Sequence, residues 1–202
     1  VGATFTPYQA YQIRFADPFG YDLFGNKADE GRNAAKHPVI AALYLQDKIE
    51  LDDLVINVGL RWDYFDPAYE RVGDVEHVTT ETRENNIVDL KEENFVGNDT
   101  WTSFSPRLGF SFPVTDKVIF HAQYGKFYQT PELLRLYSST YNYAFSLQSG
   151  NFFAQNNPNL EGVRTTAYEV GFRQQLSDRA AFDITAYYKE IRNQIRLTNL
   201  DF

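Results

Sequence analysis

Cysteine is absent from the 202 residues, which excludes disulfides, thiolate metal sites and thiol nucleophiles. No run of about 18 consecutive apolar residues occurs either, so no transmembrane helix is expected. Strands of alternating polarity cross bilayers without raising average hydropathy, however, and a mean hydropathy of −0.45 does not count against a membrane. A basic patch or stripe is also lacking. The net charge is −8, and most of it falls between Asp66 and Thr100, where ten Asp/Glu face only Arg71, Arg83 and Lys91, so a nucleic-acid partner is not expected. Val1 to Phe5 carry neither the basic start nor the apolar core of a signal peptide, and the expectation is that the chain is part of a longer exported protein.

Catalytic patterns are missing in the same way. His37, His77 and His121 lie far apart, with no HxxxH or HExxH spacing, and neither a GxSxG elbow nor a glycine-rich phosphate loop is present. Asp52 and Asp53 fall in a tight turn and Glu92 and Glu93 in an acidic loop, where both pairs are expected to be solvated. The run from Asp66 to Asp99 lacks the DxDxDG spacing of a calcium loop. No catalytic, cofactor-binding or metal residue is assigned, and the chain is not read as an enzyme.

What is present is aromatic and periodic. With 17 Phe and 14 Tyr in a chain of low mean hydropathy, the rings must be segregated onto one face of something. From Leu54 the even positions read Leu54, Ile56, Val58, Leu60, Trp62 and Tyr64, against Asn57, Gly59, Arg61 and Asp63. This period-two alternation over about ten residues is the length that crosses a bilayer when tilted. The rhythm recurs, predicting strands at about 39–48, 54–65, 103–113, 117–128, 165–176 and 180–192, with a seventh through Tyr11, Ile13 and Phe15. Short turns near Asp52, Asp116 and Asp178 alternate with long polar links, at about 66–101 and 129–164, joined by a further outer loop at about 16–37. Short turns on one side and long loops on the other mark outer-membrane barrels, whose turns face the periplasm. Aromatics near the loop-side strand ends, Trp62, Tyr64 and Phe65 on one strand and Tyr124, Phe127 and Tyr128 on another, fall where an interfacial girdle would lie. Thr130, Pro131 and Glu132 ahead of Leu133, Leu134 and Leu136 predict a short loop helix capped by Thr130.

ALYLQDK at Ala42 to Lys48 and LVINVGLRWDY at Leu54 to Tyr64 resemble the hairpin of a YxQD strand and a GxRxD strand in the barrel of TonB-dependent receptors, especially the Oar-like branch with a carboxypeptidase-regulatory-like domain. FSPRLGF at Phe104 to Phe110, YGKFYQTP at Tyr124 to Pro131, NPNLE at Asn157 to Glu161 and YEVGF at Tyr168 to Phe172 follow in the family's order. The matches run from about Ala42 to Ile195.

The resemblance implies an antiparallel transmembrane β-barrel segment, six or seven strands of a larger barrel of about 22, with short periplasmic turns and long extracellular loops. It further implies a bacterial outer-membrane receptor that imports a scarce solute. Its partners would be outer-membrane lipid, a plug domain and, through the plug, the TonB energy-transducing complex. Neither plug nor TonB box is visible in this stretch. No cofactor is implied. Lumen-facing, plug-facing residues would be Arg61, Asp63, Arg107, Glu169 and Arg173, with mutual cross-strand pairing as their plainer role. Tyr141, Tyr143, Phe145, Phe152 and Phe153 form an aromatic loop segment that could touch a ligand or pack on itself. Two other architectures share the alternation: a soluble all-β module binding a glycan through that loop, and a barrel assembled from several chains.

Overall fold

A computed structural model describes residues 20, 26, 27, 29–32, 34–74, 76–83, 87–97, 99–137, 140, 143, 144, 147 and 156–196. The expected strand through Tyr11, Ile13 and Phe15 lies outside them. The architecture is one six-stranded antiparallel sheet of β1 (Val39–Leu51), β2 (Leu54–Asp66), β7 (Trp101–Thr115), β8 (Val118–Gln129), β9 (Val163–Ser177) and β10 (Ala180–Arg192), paired in that order. Two small ribbons, β3 (Arg71–Val72) with β6 (Phe95–Val96) and β4 (Thr80–Arg83) with β5 (Ile87–Leu90), belong to the link between β2 and β7. A four-residue helix, α1 (Leu133–Leu136), lies in the link between β8 and β9.

The six strands pair in chain order, with β3 to β6 set aside in the link between β2 and β7, as in an up-and-down meander. The register assigns the faces. Directly opposite residues share a face, and Leu43, Trp62 and Phe104 align across β1, β2 and β7, as do Phe112, Phe120, Phe172 and Ile184 across β7 to β10. The other face carries Tyr44, Arg61 and Ser105, and farther along Gln123, Glu169 and Tyr187. A one-residue slip would exchange the two faces, so the alternation itself holds the register. The apolar stretch Leu54 to Tyr64 extends roughly 33 Å at ~3.3 Å per residue. Tilted by about 45°, it covers close to the ~25 Å apolar band of an outer-membrane wall.

Both faces are open. Leu45 is 77% exposed, Leu43 70% and Phe104 63%, and among the described residues no second layer covers them. In water such a surface would aggregate, whereas in hydrocarbon it is the solvated surface. The edges of β1 and β10 have no partner among the described residues, so the sheet is a curved wall and not a closed barrel.

The buried apolar side chains instead collect at the long-loop end: Phe65, Tyr69, Leu90, Leu136 and Ala144. Two corrections to the aromatic girdle follow. Phe65 has the opposite parity to Trp62 and Tyr64, stacks on Trp101 with ring centroids 5.4 Å apart and is 1% exposed. Phe127 likewise lies on the polar face, under Arg107. Consecutive strand residues point to opposite sides, so a run of adjacent aromatics cannot all join one girdle. The loop helix is corrected as well. It begins at Leu133, its N-cap is Glu132 in extended conformation, and neither Thr130 nor any other side chain caps it.

Two prolines sit in the otherwise regular strand β7. Pro106 precedes the point, at Arg107, where β7 begins to pair with β8, and Pro113 adjoins the register shift between β7 and β8. A proline cannot donate to a ladder, and these two sit where pairing with β8 begins or shifts. At the start of the β2–β7 link Ala68 adopts φ 49°, a left-handed conformation unfavourable to any residue with a Cβ. Its N–H donates to the Asp66 carboxylate at 2.8 Å, which holds the turn. Ala68→Gly is expected to stabilise the intact protein by about 1 kcal/mol, read as a higher urea midpoint at unchanged slope. A lower midpoint would show that the turn is not strained.

Candidate functional site

The polar face of the sheet is the site that β-strand alternation builds: every second residue of six strands lies on it, and part of it forms a trough. Small side chains shape it. Gly59 and Gly125 flank Arg107 on either side in the register, and a Cβ built on Gly125 would come within 3.0 Å of the Phe127 ring. The two glycines leave room for the Arg107 guanidinium to lie over Phe127, 4.7 Å from the ring centre. Gly171 does the same for His121, whose Nε2 lies 2.5 Å from where a Cβ on Gly171 would be. The trough has a volume of about 940 Å³ and is walled by Arg61, Arg107, His121, Gln123, Glu169 and Lys189 among others.

All five of the expected lumen-facing residues share this face, but they do not form one network. The Arg61 Nε donates to both Asp63 oxygens at 2.9 and 3.0 Å, two residues along the same strand. Arg173 pairs across strands, its Nε 3.0 Å from Asp183, whose other oxygen accepts from the Thr185 hydroxyl at 3.1 Å. Thr185 in turn lies 3.5 Å from the His121 Nε2. Glu169 stands opposite Gln123 on one side and Tyr187 on the other. The arrangement is a string of short local pairs separated by small residues. Such a wall is wettable and can accept a polar partner without exposing an unpaired buried charge.

At the long-link end of the sheet, the links fold over one another. Arg32, only 17% exposed, pairs with Glu70 and Glu92 and lies 3.6 Å over the Phe95 ring. Tyr137, just after α1, donates its hydroxyl to the Pro67 carbonyl at 2.8 Å and meets Tyr69 edge-on, ring centroids 5.6 Å apart. Lys36 lies over Tyr69 as well, and its burial there, with Arg32 nearby, pulls the ammonium below the ordinary lysine range. Asn94 closes the β2–β7 link. Its amide donates to the carbonyls of Thr79 and Lys91, and its oxygen accepts from the Thr79 N–H. Asn156 clamps the end of α1 in the same manner, donating to the carbonyls of Leu134 and Tyr137. A hydrogen bond from His77 and the backbone N–H of Glu76 hold the Asp74 carboxyl below its usual range. Sequence reading missed this loop core, because the partners lie up to 70 residues apart and carry no periodicity. Of the aromatic segment proposed for ligand contact, Tyr143 is partly buried, its hydroxyl pushed up by burial, while Tyr141, Phe145, Phe152 and Phe153 lie outside the described residues.

A meander of long antiparallel strands, apolar on one face and polar on the other, with tight turns at one end and folded loops at the other, defines a wall of a transmembrane β-barrel. The family model described as TonB dependent receptor-like, beta-barrel, matches residues 1–201, and the chain belongs to that family of outer-membrane receptors and transporters. No curated protein matches the chain in a sequence comparison.

Proposed function

We propose that this chain is the barrel portion of a bacterial outer-membrane receptor that takes up a scarce solute using energy delivered through TonB. The observation that carries the reading is the exposure of both sheet faces combined with their opposite polarity, within a chain of this family. The open edges of β1 and β10 would be paired by further strands of a larger barrel, since an unpaired edge in hydrocarbon leaves backbone groups unsatisfied. The polar face, with Arg61, Asp63, Arg107, Glu169 and Arg173, would face a plug domain inside the lumen. The loop core would preorganise the outer surface that first meets the solute.

Cysteine scanning in intact cells tests this. Cysteines replacing Asp74 and Glu132, in the long links, are expected to react with an impermeant maleimide. Cysteines replacing Asp53, Asp116 and Asp178, in the short turns, are expected to react only after the outer membrane is permeabilised. Equal labelling of both sets in a soluble fraction would overturn the proposal in favour of a soluble binding module.

A further inference from the structure

The loop-side edge of the apolar face carries a feature that a barrel wall does not require. Tyr124, Tyr168 and Tyr188 stand side by side on β8, β9 and β10, with ring centroids 5.2 and 6.2 Å apart, and form the interfacial row on these strands. Two residues farther out on the same face come Lys126, Thr166 and Glu190, and then Tyr128, Arg164 and Arg192. Arg164 and Arg192 are therefore directly opposed on neighbouring strands, an arrangement of like charges that weakens a sheet unless an anion lies between them. Arg192 is held by Glu190 at 2.6 Å, and Glu161 accepts from Asn193, also at 2.6 Å. Lys126 and Arg164 are exposed and have no ion pair among the described residues. Immediately below the tyrosines the wall is thin. Ala122, Val170 and Ala186 align across three strands, and with the three tyrosines they line an apolar groove of about 430 Å³.

We propose that this patch is a binding site for a phosphorylated lipid of the outer leaflet, its phosphate held by Lys126, Arg164 and Arg192 and an acyl chain lying in the groove over Ala122, Val170 and Ala186. Each half of the site explains the other. Cations one and two steps above an interfacial tyrosine row lie at headgroup depth, where each contributes attraction to anionic lipid. A groove under the rings takes a chain descending from the same headgroup. Charge complementarity selects the occupant: the chain as a whole is acidic, yet this part of its lipid-facing border is basic. The Arg guanidinium fork matches a phosphate bidentately, which favours a phosphate monoester over a zwitterionic headgroup.

The inference rests on the outer-membrane reading above, and the test separates the two. The intact protein is purified in detergent and challenged with diphosphoryl lipid A, the same lipid with its phosphates removed, phosphatidylcholine and inorganic phosphate, adducts being counted by native mass spectrometry. Diphosphoryl lipid A is expected to remain bound. The combined change Lys126→Gln, Arg164→Gln and Arg192→Gln should weaken it by about tenfold or more, while Arg164→Lys with Arg192→Lys, which keeps the charge but loses the bidentate fork, should fall between. Ala186→Phe, which fills the groove without altering charge, should weaken it severalfold. Folding of every variant is checked by insertion into pure phosphatidylcholine vesicles, and failure of the unaltered protein there would count against the membrane reading itself. Wild-type retention by the neutralised variant, equal binding of phosphatidylcholine, or displacement by inorganic phosphate alone would overturn the lipid site.

Discussion

Val170→Arg is expected to cost about 2–4 kcal/mol of folding free energy in a bilayer, whereas Gln123→Arg, one strand away on the other face, is expected to stay within about 0.5 kcal/mol of the parent. Val170 lies midway along the apolar stretch of β9, between the Tyr168 and Phe172 levels, and faces Ala122 and Ala186 on its neighbours. An arginine there enters the hydrocarbon with no acceptor at its own depth. The small neighbours let it bend toward the tyrosine row, which places the penalty nearer the lower end of the range. At position 123 the same side chain enters the polar trough directly opposite Glu169, where water and a carboxylate are both available. The measurement is reversible folding of the intact protein into phosphatidylcholine vesicles, followed against urea. Equal penalties on the two faces would mean that the sheet does not separate lipid from lumen.

That contrast also shows what the sequence made legible. Period-two alternation is written directly into β2, where Leu54 through Tyr64 oppose Asn57 through Asp63, and the register pairs those residues face by face with β1 and β7. Alternation survives in a linear reading because it is a property of neighbours along the chain. The same logic placed Arg61, Asp63, Arg107, Glu169 and Arg173 on one face, and it misassigned Phe65 and Phe127 only where proximity to a strand end was put ahead of parity. The pairing of Arg173 with Asp183 was open to inspection too, once the tight turn fixed which residues oppose one another. Illegible were contacts that depend on how long links fold back: Tyr137 on Pro67, Asn94 on Thr79, and Arg32 on Glu92. Their residues are unremarkable in composition. The acidic run that suggested a solvated loop supplies the carboxylates that hold Arg32, so charge density there reflects a folded link and not only hydration.

The second large effect is expected at that arginine. Arg32→Leu should open the β2–β7 link without unfolding the wall, because the sheet's backbone ladders are independent of it and loops are the low-stability end of a fold. The guanidinium contributes a cation–π contact over Phe95 in a mostly buried setting, worth up to about 2 kcal/mol. Its pairs with Glu70 and Glu92 add less than ~1 kcal/mol each, since those carboxylates are 51% and 73% exposed and solvent screens them. A combined loss of about 2–3 kcal/mol raises the open fraction of the link by roughly 30- to 150-fold. Limited proteolysis should follow that fraction when reclosing outpaces cleavage. Cleavage within residues 67–100 is therefore expected to accelerate by nearly that factor, while the thermal transition of the barrel stays in place. Arg32→Lys should fall between, because an ammonium keeps the charge but cannot span both carboxylates as a planar fork does. Leaving Glu70 and Glu92 without their counter-charge adds little, exposed as they are, and for the same reason salt should accelerate cleavage of the unaltered protein only slightly. Cleavage of Arg32→Leu at the parental rate would show that the link is held by Tyr69, Asn94 and Tyr137 alone.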